Sequence, residues 1–288
     1  MAIFAASDMD PSCQGRRYRA RVRQLLPEPA DVDPFEAHAR AGRPAPADRP
    51  WMALNMVTST DGAISVAGRS GSLGSEADHQ VFRAIRAVGD VIIAAGGTVR
   101  AEGYGPPKPS ESVRAARVAR GQAPYPRMVV VSGSLDLDEH APFFTEAPEP
   151  PLVYTAATAP ETRMAALGEV ADVQVAGERS VDVRAMATHL GTLGVRCAVV
   201  EGGGILNGHL LGADLIDELN LTLAPMLVGG TARRAVASAE EHPRDLVLAH
   251  LWESEGNLLA RYVRPRRPDP PATRAPRPAR PGVPTVRG

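Results

Sequence analysis

The sequence predicts an α/β fold built on a mainly parallel β-sheet, with helices on both faces and antiparallel strands towards the C-terminus. Between residues 51 and 200, short aliphatic runs alternate with segments of helical periodicity, the pattern of repeated strand–helix–strand units. The aliphatic runs are continuous, as expected for parallel strands that are buried on both faces. After residue 217, three alternating runs follow one another without long helices between them. Antiparallel strands need no helical crossover, so this region is predicted to form the antiparallel end of the sheet.

Each element follows from local signals in the chain. The first strand of the core is expected at 53–57, and Ser75 is the expected N-cap of the first helix, at 75–88. The remaining strands are predicted at 90–95, 128–131, 152–154, 173–175, 196–200, 218–223, 246–252 and 258–263, and the remaining helices at 160–167 and 181–193.

Composition divides the chain into three parts. Residues 1–50 are predicted to be an irregular leader, because six prolines fall between positions 27 and 50. Residues 51–264 form the predicted folded domain. Residues 265–288 are rich in Pro and Arg and carry few apolar side chains. Such a segment cannot bury enough apolar surface to offset its chain entropy, so a disordered tail is expected.

The overall composition argues against several classes of function. The 288 residues are 44% hydrophobic but only 4% aromatic, which allows a sizeable aliphatic core, and the formal net charge is −1. This balance argues against a nucleic-acid partner or a polybasic membrane surface. No apolar run reaches the roughly 18–20 residues of a membrane helix, and no signal peptide is recognisable, so a cytoplasmic protein is expected. Of the two cysteines, Cys197 is expected in the core and Cys13 in the leader, without a disulfide or a zinc site.

The most informative stretch is residues 198–208, where an apolar strand runs into Glu201, three glycines and then a helical segment. Glycines let backbone amides approach a ligand, and the N-terminus of a helix favours negative charge, so the pyrophosphate of a dinucleotide is the expected occupant. A carboxylate repels phosphate. Glu201 is therefore expected to face a neutral or cationic ring of a second ligand. An ordinary tight turn between strand and helix is the alternative explanation of this stretch.

Two other turns follow apolar strands, at 58–62 with Asp61 and at 95–100 with a Gly-Gly-Thr sequence. In open α/β sheets ligands bind at the carboxyl ends of the strands, where both turns should lie. The second turn has neither the Rossmann nor the P-loop spacing. Asp217 and Glu218 are adjacent and point to opposite faces of a strand, so a structural role is expected for them. The histidines lack metal-ligand spacing and no nucleophile elbow is present, so metal catalysis and hydrolase chemistry are disfavoured and no metal site is expected.

The order of these motifs resembles a known family. The matching segments are 55–62 with its Ser-x-Asp-Gly sequence, 85–90 with 97–100, 200–204, and the distinctive 215–230. Together they resemble the reductase domain of riboflavin biosynthesis, the C-terminal half of the bifunctional bacterial deaminase-reductase, which has a dihydrofolate-reductase-like fold. The resemblance covers about residues 51–263.

The resemblance implies a reductase that uses NADPH to reduce the ribosyl chain of 5-amino-6-(5-phosphoribosylamino)uracil, with hydride delivered to C1′ of the opened sugar. It also implies a homodimer. Asp61 is the implied catalytic residue near the reacting centre, as proton donor or as an orienting group. The implied substrate-binding residues are Ser70, Arg86 and Glu201. The implied cofactor-binding residues are Val57, Thr98, Glu102, Ser132, Gly202, Gly203, Gly204, Ile205, Leu206 and Asn207.

Departures from the family pattern leave the substrate open. The zinc signature of the deaminase half is absent from the sequence, so the chain is predicted to be a stand-alone reductase. Where the family has an Asn/Asp-Pro turn leading to a substrate-phosphate arginine, this chain has 103–107 and then an insertion containing Arg114, Arg117 and Arg120. One of these arginines takes over the phosphate, or the substrate has no phosphate, or the three form a solvated helical face, which is the favoured explanation. The alternative functions are a dihydrofolate or pterin-type reductase on the same fold and a non-catalytic nucleotide-binding protein.

Overall fold

The computed structural model describes residues 20–265, which contain one eleven-stranded sheet. The strands are β1 (Val22–Leu26), β2 (Ala30–Val32), β3 (Trp51–Ser59), β4 (Val91–Ala95), β5 (Arg127–Val131), β6 (Leu152–Thr155), β7 (Asp172–Val175), β8 (Cys197–Val200), β9 (Glu218–Ala224), β10 (Val247–Ser254) and β11 (Asn257–Val263). The helices are α1 (Pro34–Arg40), α2 (Glu76–Arg86), α3 (Gly96–Glu102), α4 (Glu111–Ala119), α5 (Pro142–Thr145), α6 (Glu161–Gly168), α7 (Val183–Thr192) and α8 (Gly204–Gly212), with a 3₁₀ turn at Gly71–Leu73.

The sheet has a parallel part and an antiparallel end, as the sequence predicted. The strand order is β2-β1-β10-β11-β9-β3-β8-β4-β5-β6-β7, and every pair from β9 to β7 is parallel. β11 pairs antiparallel with both β9 and β10. The expectation for 218–223 needs one correction, because β9 lies inside the sheet and is parallel to β3 while antiparallel to β11.

The apolar runs are continuous because each central strand is buried on both faces. In β4, Val91 and Ile93 pack in the cluster that contains α7 and α8, whereas Ile92 and Ala94 pack in the cluster that contains α3, α5 and α6. Helix α2 packs further along that second face, and Val81 joins a third cluster. Cys197 is buried, as predicted.

The leader predicted to be irregular is in fact folded from residue 22 onward. β1 pairs with β10, and α1 begins with Asp33 as its N-cap and Pro34 at its first position. Proline at that position needs no N–H partner and has a helix-compatible φ, so a Pro-rich composition did not exclude a helix there. Residues 1–19 and 266–288 lie outside the described part, and with them most of the predicted tail.

Asp217 and Glu218 have the structural role that the sequence predicted. Glu218 is fully buried and accepts hydrogen bonds from Arg43 and Arg261, each at 2.8 Å, which ties the N-terminal segment to the sheet. Burial alone would raise the pKa of Glu218, but the two guanidinium groups outweigh it and hold that pKa well below its usual range. Asp217 forms an ion pair with Arg49. Within residues 20–265, no helix is long and apolar enough to cross a membrane.

Candidate active site

A cavity of about 320 Å³ lies at the carboxyl ends of β3, β4 and β8. Six of the side chains that the resemblance implied for ligand binding line it, from both the substrate and the cofactor groups. They are Val57, Ser70, Arg86, Thr98, Glu102 and Glu201. The sequence prediction that the turns after these strands meet at one rim of the sheet is therefore met by the fold.

Local sequence signals position the helices around this cavity. Helix α2 begins at the predicted N-cap, where the Ser75 hydroxyl accepts a hydrogen bond from the Asp78 amide at 3.1 Å. Its buried residues recur at helical spacing and include Ala77, Val81 and Ile85, and the neighbouring stripe of the helix carries Asp78 and Arg86 to the cavity. Helix α3 supplies Thr98 and Glu102, and the Glu102 carboxylate accepts a hydrogen bond from the Ser70 amide at 2.7 Å.

Glu201 holds an arginine. Its carboxylate accepts two hydrogen bonds from Arg86, at 2.7 Å from Nε and 2.6 Å from Nη2, and a third from the Tyr104 hydroxyl. The Glu201 side chain is only 2% exposed. Glu201 and Tyr104 therefore hold the Arg86 guanidinium at the wall of the cavity, where it lies 4.2 Å from the Phe82 ring centroid and 5.1 Å from that of Tyr104.

The charges in this cluster stabilise each other. Burial opposes the Arg86 cation, yet the Glu201 carboxylate outweighs burial and raises the pKa of Arg86 above its usual range. Burial, followed by the charge of Glu201, raises the pKa of the Tyr104 hydroxyl well above its usual range. The cluster therefore keeps a cation and a protonated phenol at this wall of the cavity.

Asp61 lies outside the lining of this cavity. Its carboxylate accepts hydrogen bonds from the Ser59 hydroxyl at 2.5 Å and from the amides of Val228 and Gly229 at 3.2 and 2.6 Å. The Ser59 hydroxyl, followed by these amides, lowers the pKa of Asp61 to about 2. In this arrangement Asp61 is an ionised carboxylate that joins two loops, which favours the orienting role over proton donation. Its implied place near the reacting centre stays a prediction.

The glycine turn after β8 has the close approach that a phosphate site needs. Gly202 has φ 91°, a backbone conformation that favours glycine, and a Cβ on Gly203 would lie 3.2 Å from the Thr98 hydroxyl. Among the described residues, no side chain caps the start of helix α8 beyond Gly203, so none of them occupies the first N–H donors of this helix. The backbone of this turn and the Thr98 hydroxyl fit the pyrophosphate of a dinucleotide.

The other implied cofactor residues contribute differently from one another. A Cβ on Gly96 would meet the Ser132 hydroxyl at 3.0 Å, so Ser132 packs under the turn after β4. Leu206 lies in the core, and the Ile205 side chain is exposed. Asn207 is fully buried and donates to the Ala235 carbonyl at 2.7 Å. Two of these three side chains of α8 are thus taken up by packing within the protein, and cofactor binding by this helix stays a prediction.

The three arginines of the insertion do not reach the cavity. Arg117 is fully buried and donates to the backbone carbonyls of Ala87 and Gly89, at 2.9 and 2.7 Å. Arg120 also donates to Ala87, and Arg114 bonds the Tyr125 hydroxyl. The favoured expectation of a solvated helical face is therefore wrong for Arg117, which caps the end of the helix that carries Arg86. Helical spacing alone could not distinguish a buried arginine from a solvent-exposed one in this segment.

The residues that line the cavity and were missed from the sequence include three polar side chains, Asn55, Asp78 and Tyr104. Asp78 lies in the first turn of α2, where a carboxylate is common for helix stability alone. Burial raises the pKa of its carboxyl group, against a hydrogen bond from Thr222 and the charge of His79. The Nδ2 atom of Asn55 is buried and has no hydrogen-bond partner within the described residues. Tyr104 occupies the segment in which the chain departs from the family pattern. That departure was the one feature of the sequence that could have pointed to Tyr104.

Comparison with known proteins decides the family. The profile of the RibD C-terminal domain matches residues 50–259. The chain belongs to this family. Proteins named 2,5-diamino-6-ribosylamino-4(3H)-pyrimidinone 5′-phosphate reductase are similar to it, with 32% identity each. The one from Archaeoglobus fulgidus aligns over 67% of this chain and 88% of its own length, and the one from Methanothermobacter thermautotrophicus over 67% and 85%.

Solved structures agree with this placement. A pyrimidine reductase-like protein from Corynebacterium diphtheriae superposes with a TM-score of 0.73 at 25% identity, covering 82% of this chain and all of that one. The predicted family, the dihydrofolate-reductase-like α/β fold and the identification as a reductase of the riboflavin pathway are confirmed. The family consists of pyrimidine reductases that use a nicotinamide cofactor.

Proposed function

We propose that this protein is an NADPH-dependent reductase that converts the ribosyl chain of a 6-ribosylaminopyrimidine 5′-phosphate into a ribityl chain. The observation that carries the proposal is the cavity of about 320 Å³, which brings Arg86 and Asp78 together with Thr98, the residue next to the glycine turn after β8, in a chain of this family. A nicotinamide cofactor bound along that turn would supply the hydride. NADPH, rather than NADH, is proposed from the resemblance.

The chemistry needs an opened sugar. The ribosylamine opens to a C1′=N imine while O4′ takes up a proton, hydride adds to C1′, and the nitrogen gains a proton, which gives the ribitylamine and the oxidised cofactor. The backbone of 202–204 and Thr98 would hold phosphate and ribose groups of the cofactor, and Val57 would contact its ring. Arg86, fixed by Glu201 and Tyr104, would orient the substrate by presenting a rigid cation.

The test is a turnover assay with the purified full chain. NADPH is mixed with each ribosylaminopyrimidine phosphate, and the loss of absorbance of the reduced nicotinamide is followed together with the appearance of the ribityl product by mass spectrometry. The proposal predicts a ribityl product that depends on both reactants. Binding of NADPH without reduction of any substrate would favour the non-catalytic nucleotide-binding alternative instead.

A second candidate is a pterin-type reductase, as the sequence analysis allowed. The Asp78 carboxylate in the cavity supports it, because pterins carry the same 2-amino-4-oxo ring edge as aminopyrimidinones, which a carboxylate can bind through two N–H groups. The same assay with dihydrofolate separates the candidates. Oxidation of NADPH by dihydrofolate together with no reduction of ribosylaminopyrimidines would replace the first proposal by the second.

We also propose a homodimer formed through the antiparallel end of the sheet. Leu219, Leu221 and Leu223 of β9 pair with Tyr262, Ala260 and Leu258 of β11, which forms a half-buried, largely apolar strip on one face. A second copy would cover this strip. Light scattering should give a dimer for the native chain and a monomer for Leu221→Lys, while Val175→Lys on β7 stays dimeric. A monomeric native chain would refute the proposal.

The cytoplasmic location remains a prediction.

A further inference from the structure

A second cavity, of about 830 Å³, adjoins the candidate active site. Of the described residues in its lining, Arg86 alone also lines the first cavity, and none belongs to the glycine turn after β8. A molecule bound here would lie outside the cavity in which hydride transfer is proposed. The volume is within the range of small-molecule sites in proteins, roughly 300–1,000 Å³.

The walls of this cavity come from α2, α4 and the proline-rich segment 106–110. The α2 residues that line it lie at helical spacing along one stripe, formed by Glu76, Gln80, Arg83 and Ala87. Helix α4 contributes Val113 and, one turn later, Arg117. Together with Phe35 of α1, the proline rings and Val113 provide the apolar surface against which a ring system can be buried.

Arg117 is a buried cation that lacks a carboxylate partner within residues 20–265. Its side chain is fully buried, and its Nε and Nη1 atoms donate to backbone carbonyls only, those of Ala123, Ala87 and Gly89. Its Nη2 atom has no hydrogen-bond partner among the described residues. Burial lowers the pKa of Arg117 to about 10, against the charge of Asp90. Buried charges in proteins are normally paired, so the missing partner is expected to be an anion.

The other cations in the lining already have carboxylate partners. The ion pairs are Arg83 with Glu76, Arg86 with Glu201, and Lys108 with Glu146. Among the described residues of the lining, Arg117 is thus the one cation left to neutralise. A single positive charge matches a carboxylate better than a phosphate monoester, which carries about −1.5 to −2 at neutral pH.

Gln80 supplies a second unsatisfied group. Its side chain is buried, and its Oε1 atom has no hydrogen-bond partner within the described part of the chain. Ala87, whose carbonyl Arg117 binds, lies seven residues further along the chain, which is about 10 Å along a helix axis. A ligand that satisfies both groups therefore carries its carboxylate and an O–H or N–H donor at opposite ends of a body about 10 Å long.

We infer that this cavity is a second binding site, for an aromatic carboxylate with a hydroxyl or N–H donor at its far end. The Nη2 atom of Arg117 donates to the carboxylate, the Oε1 atom of Gln80 accepts from the donor, and the ring system packs against the prolines. Two fused aromatic rings substituted at opposite ends have the required length. The inference goes beyond the proposed reductase activity and does not depend on it.

The experiment is calorimetric titration of the full-length protein with matched probes. In the native protein, 6-hydroxy-2-naphthoate should bind at least about tenfold more tightly than the neutral 6-hydroxy-2-naphthamide, the lower range for a hydrogen bond to a charged group. Arg117→Met should abolish this preference. Arg114→Met removes a cation of the same helix that bonds Tyr125 and lies outside the lining, so it should leave the preference unchanged.

The hydroxyl end has its own comparison. In the native protein, 2-naphthoate, which lacks the hydroxyl, should bind about two- to tenfold more weakly than 6-hydroxy-2-naphthoate, as expected for one neutral hydrogen bond. In Gln80→Leu the two carboxylates should bind equally. If Arg117→Met does not fold, this comparison decides.

Several outcomes would overturn the inference. They are no binding of 6-hydroxy-2-naphthoate, equal affinities for the acid and the amide in the native protein, and equal effects of Arg117→Met and Arg114→Met. Displacement of the probe by NADP⁺ or by a ribitylaminopyrimidine product would show that the cavity is part of the reductase site. If the native chain reduces no substrate, the proposed function fails, whereas the affinities of the probes still decide this inference.

Discussion

Replacing Glu201 by Gln tests the cluster that fixes Arg86. The substitution keeps the shape of the side chain but removes its charge, leaving the Arg86 cation largely buried beside a neutral amide; the side chains are 2% and 14% exposed. Removing one partner of a buried ion pair costs about 3–5 kcal/mol, and the remaining exposure of Arg86 favours the lower end. In a domain of this size, a loss of about 3 kcal/mol lowers Tm by roughly 6–12 °C.

Thermal unfolding followed by circular dichroism measures this effect, and two comparisons make it specific. Glu76→Gln breaks the exposed pair with Arg83 on the same helix and should change stability by less than about 1 kcal/mol. Fluorescence titration of Glu201→Gln should give an NADPH affinity close to that of the native protein, whereas kcat/KM falls. A Tm equal to that of Glu76→Gln would contradict the stabilising ion pair between Glu201 and Arg86. A loss of NADPH binding as large as the loss of turnover would contradict the proposal that Glu201 lies on the substrate side of the site and not on the cofactor side.

Three further results are expected. Gly208→Ala should destabilise the protein by about 1–3 kcal/mol in denaturant unfolding, because its Cβ would overlap the Ala237 carbonyl, while Gly97→Ala, with open space around it, has no such clash; equal effects would contradict the packing of α8. Asp61 has a pKa lowered from 3.8 to about 2, so it contributes stability above pH 3.8 that is lost as the pH falls towards 2; Asp61→Asn should abolish that part of the acid dependence, and an unchanged acid profile would argue against its hydrogen bonds. Arg117→Met should lower the free energy of unfolding by about 2 kcal/mol, because buried backbone carbonyls lose a charged donor. An unchanged free energy of unfolding in the same measurement would indicate that Arg117 is exposed to solvent.

The sheet was predictable because its physical causes are local in the sequence. Strands such as β4 are buried on both faces and therefore appear as uninterrupted aliphatic runs, and Ser75 marks the start of α2 through a short-range hydrogen bond. β1 was missed because it lies near the edge of the sheet and carries mixed side chains among prolines. Its stability comes from pairing with β10, more than 200 residues away in the chain.

Those parts of the candidate site that glycines mark could be located from the sequence. Those that depend on contacts between elements distant in the chain could not. The turn at 202–204 was recognised from its glycines and Arg86 was named from the resemblance, whereas the pairing of Arg86 with Glu201 was not predicted. Asp78 looked like an ordinary first-turn carboxylate, and its position in the cavity lining depends on the packing of α2 near Thr222 of β9. The burial of Arg117 depends on carbonyls at the end of another helix, a contact with no signature in the spacing of its own helix.

A crystal structure of the protein with NADP⁺ and a ribitylaminopyrimidine product tests the central claim most directly. The account predicts the pyrophosphate over the backbone of 202–204, the nicotinamide beside Val57, and the pyrimidine ring between it and Asp78. Dinucleotide density away from the 202–204 turn, or a product ring outside the cavity that Arg86 and Asp78 share, would contradict it.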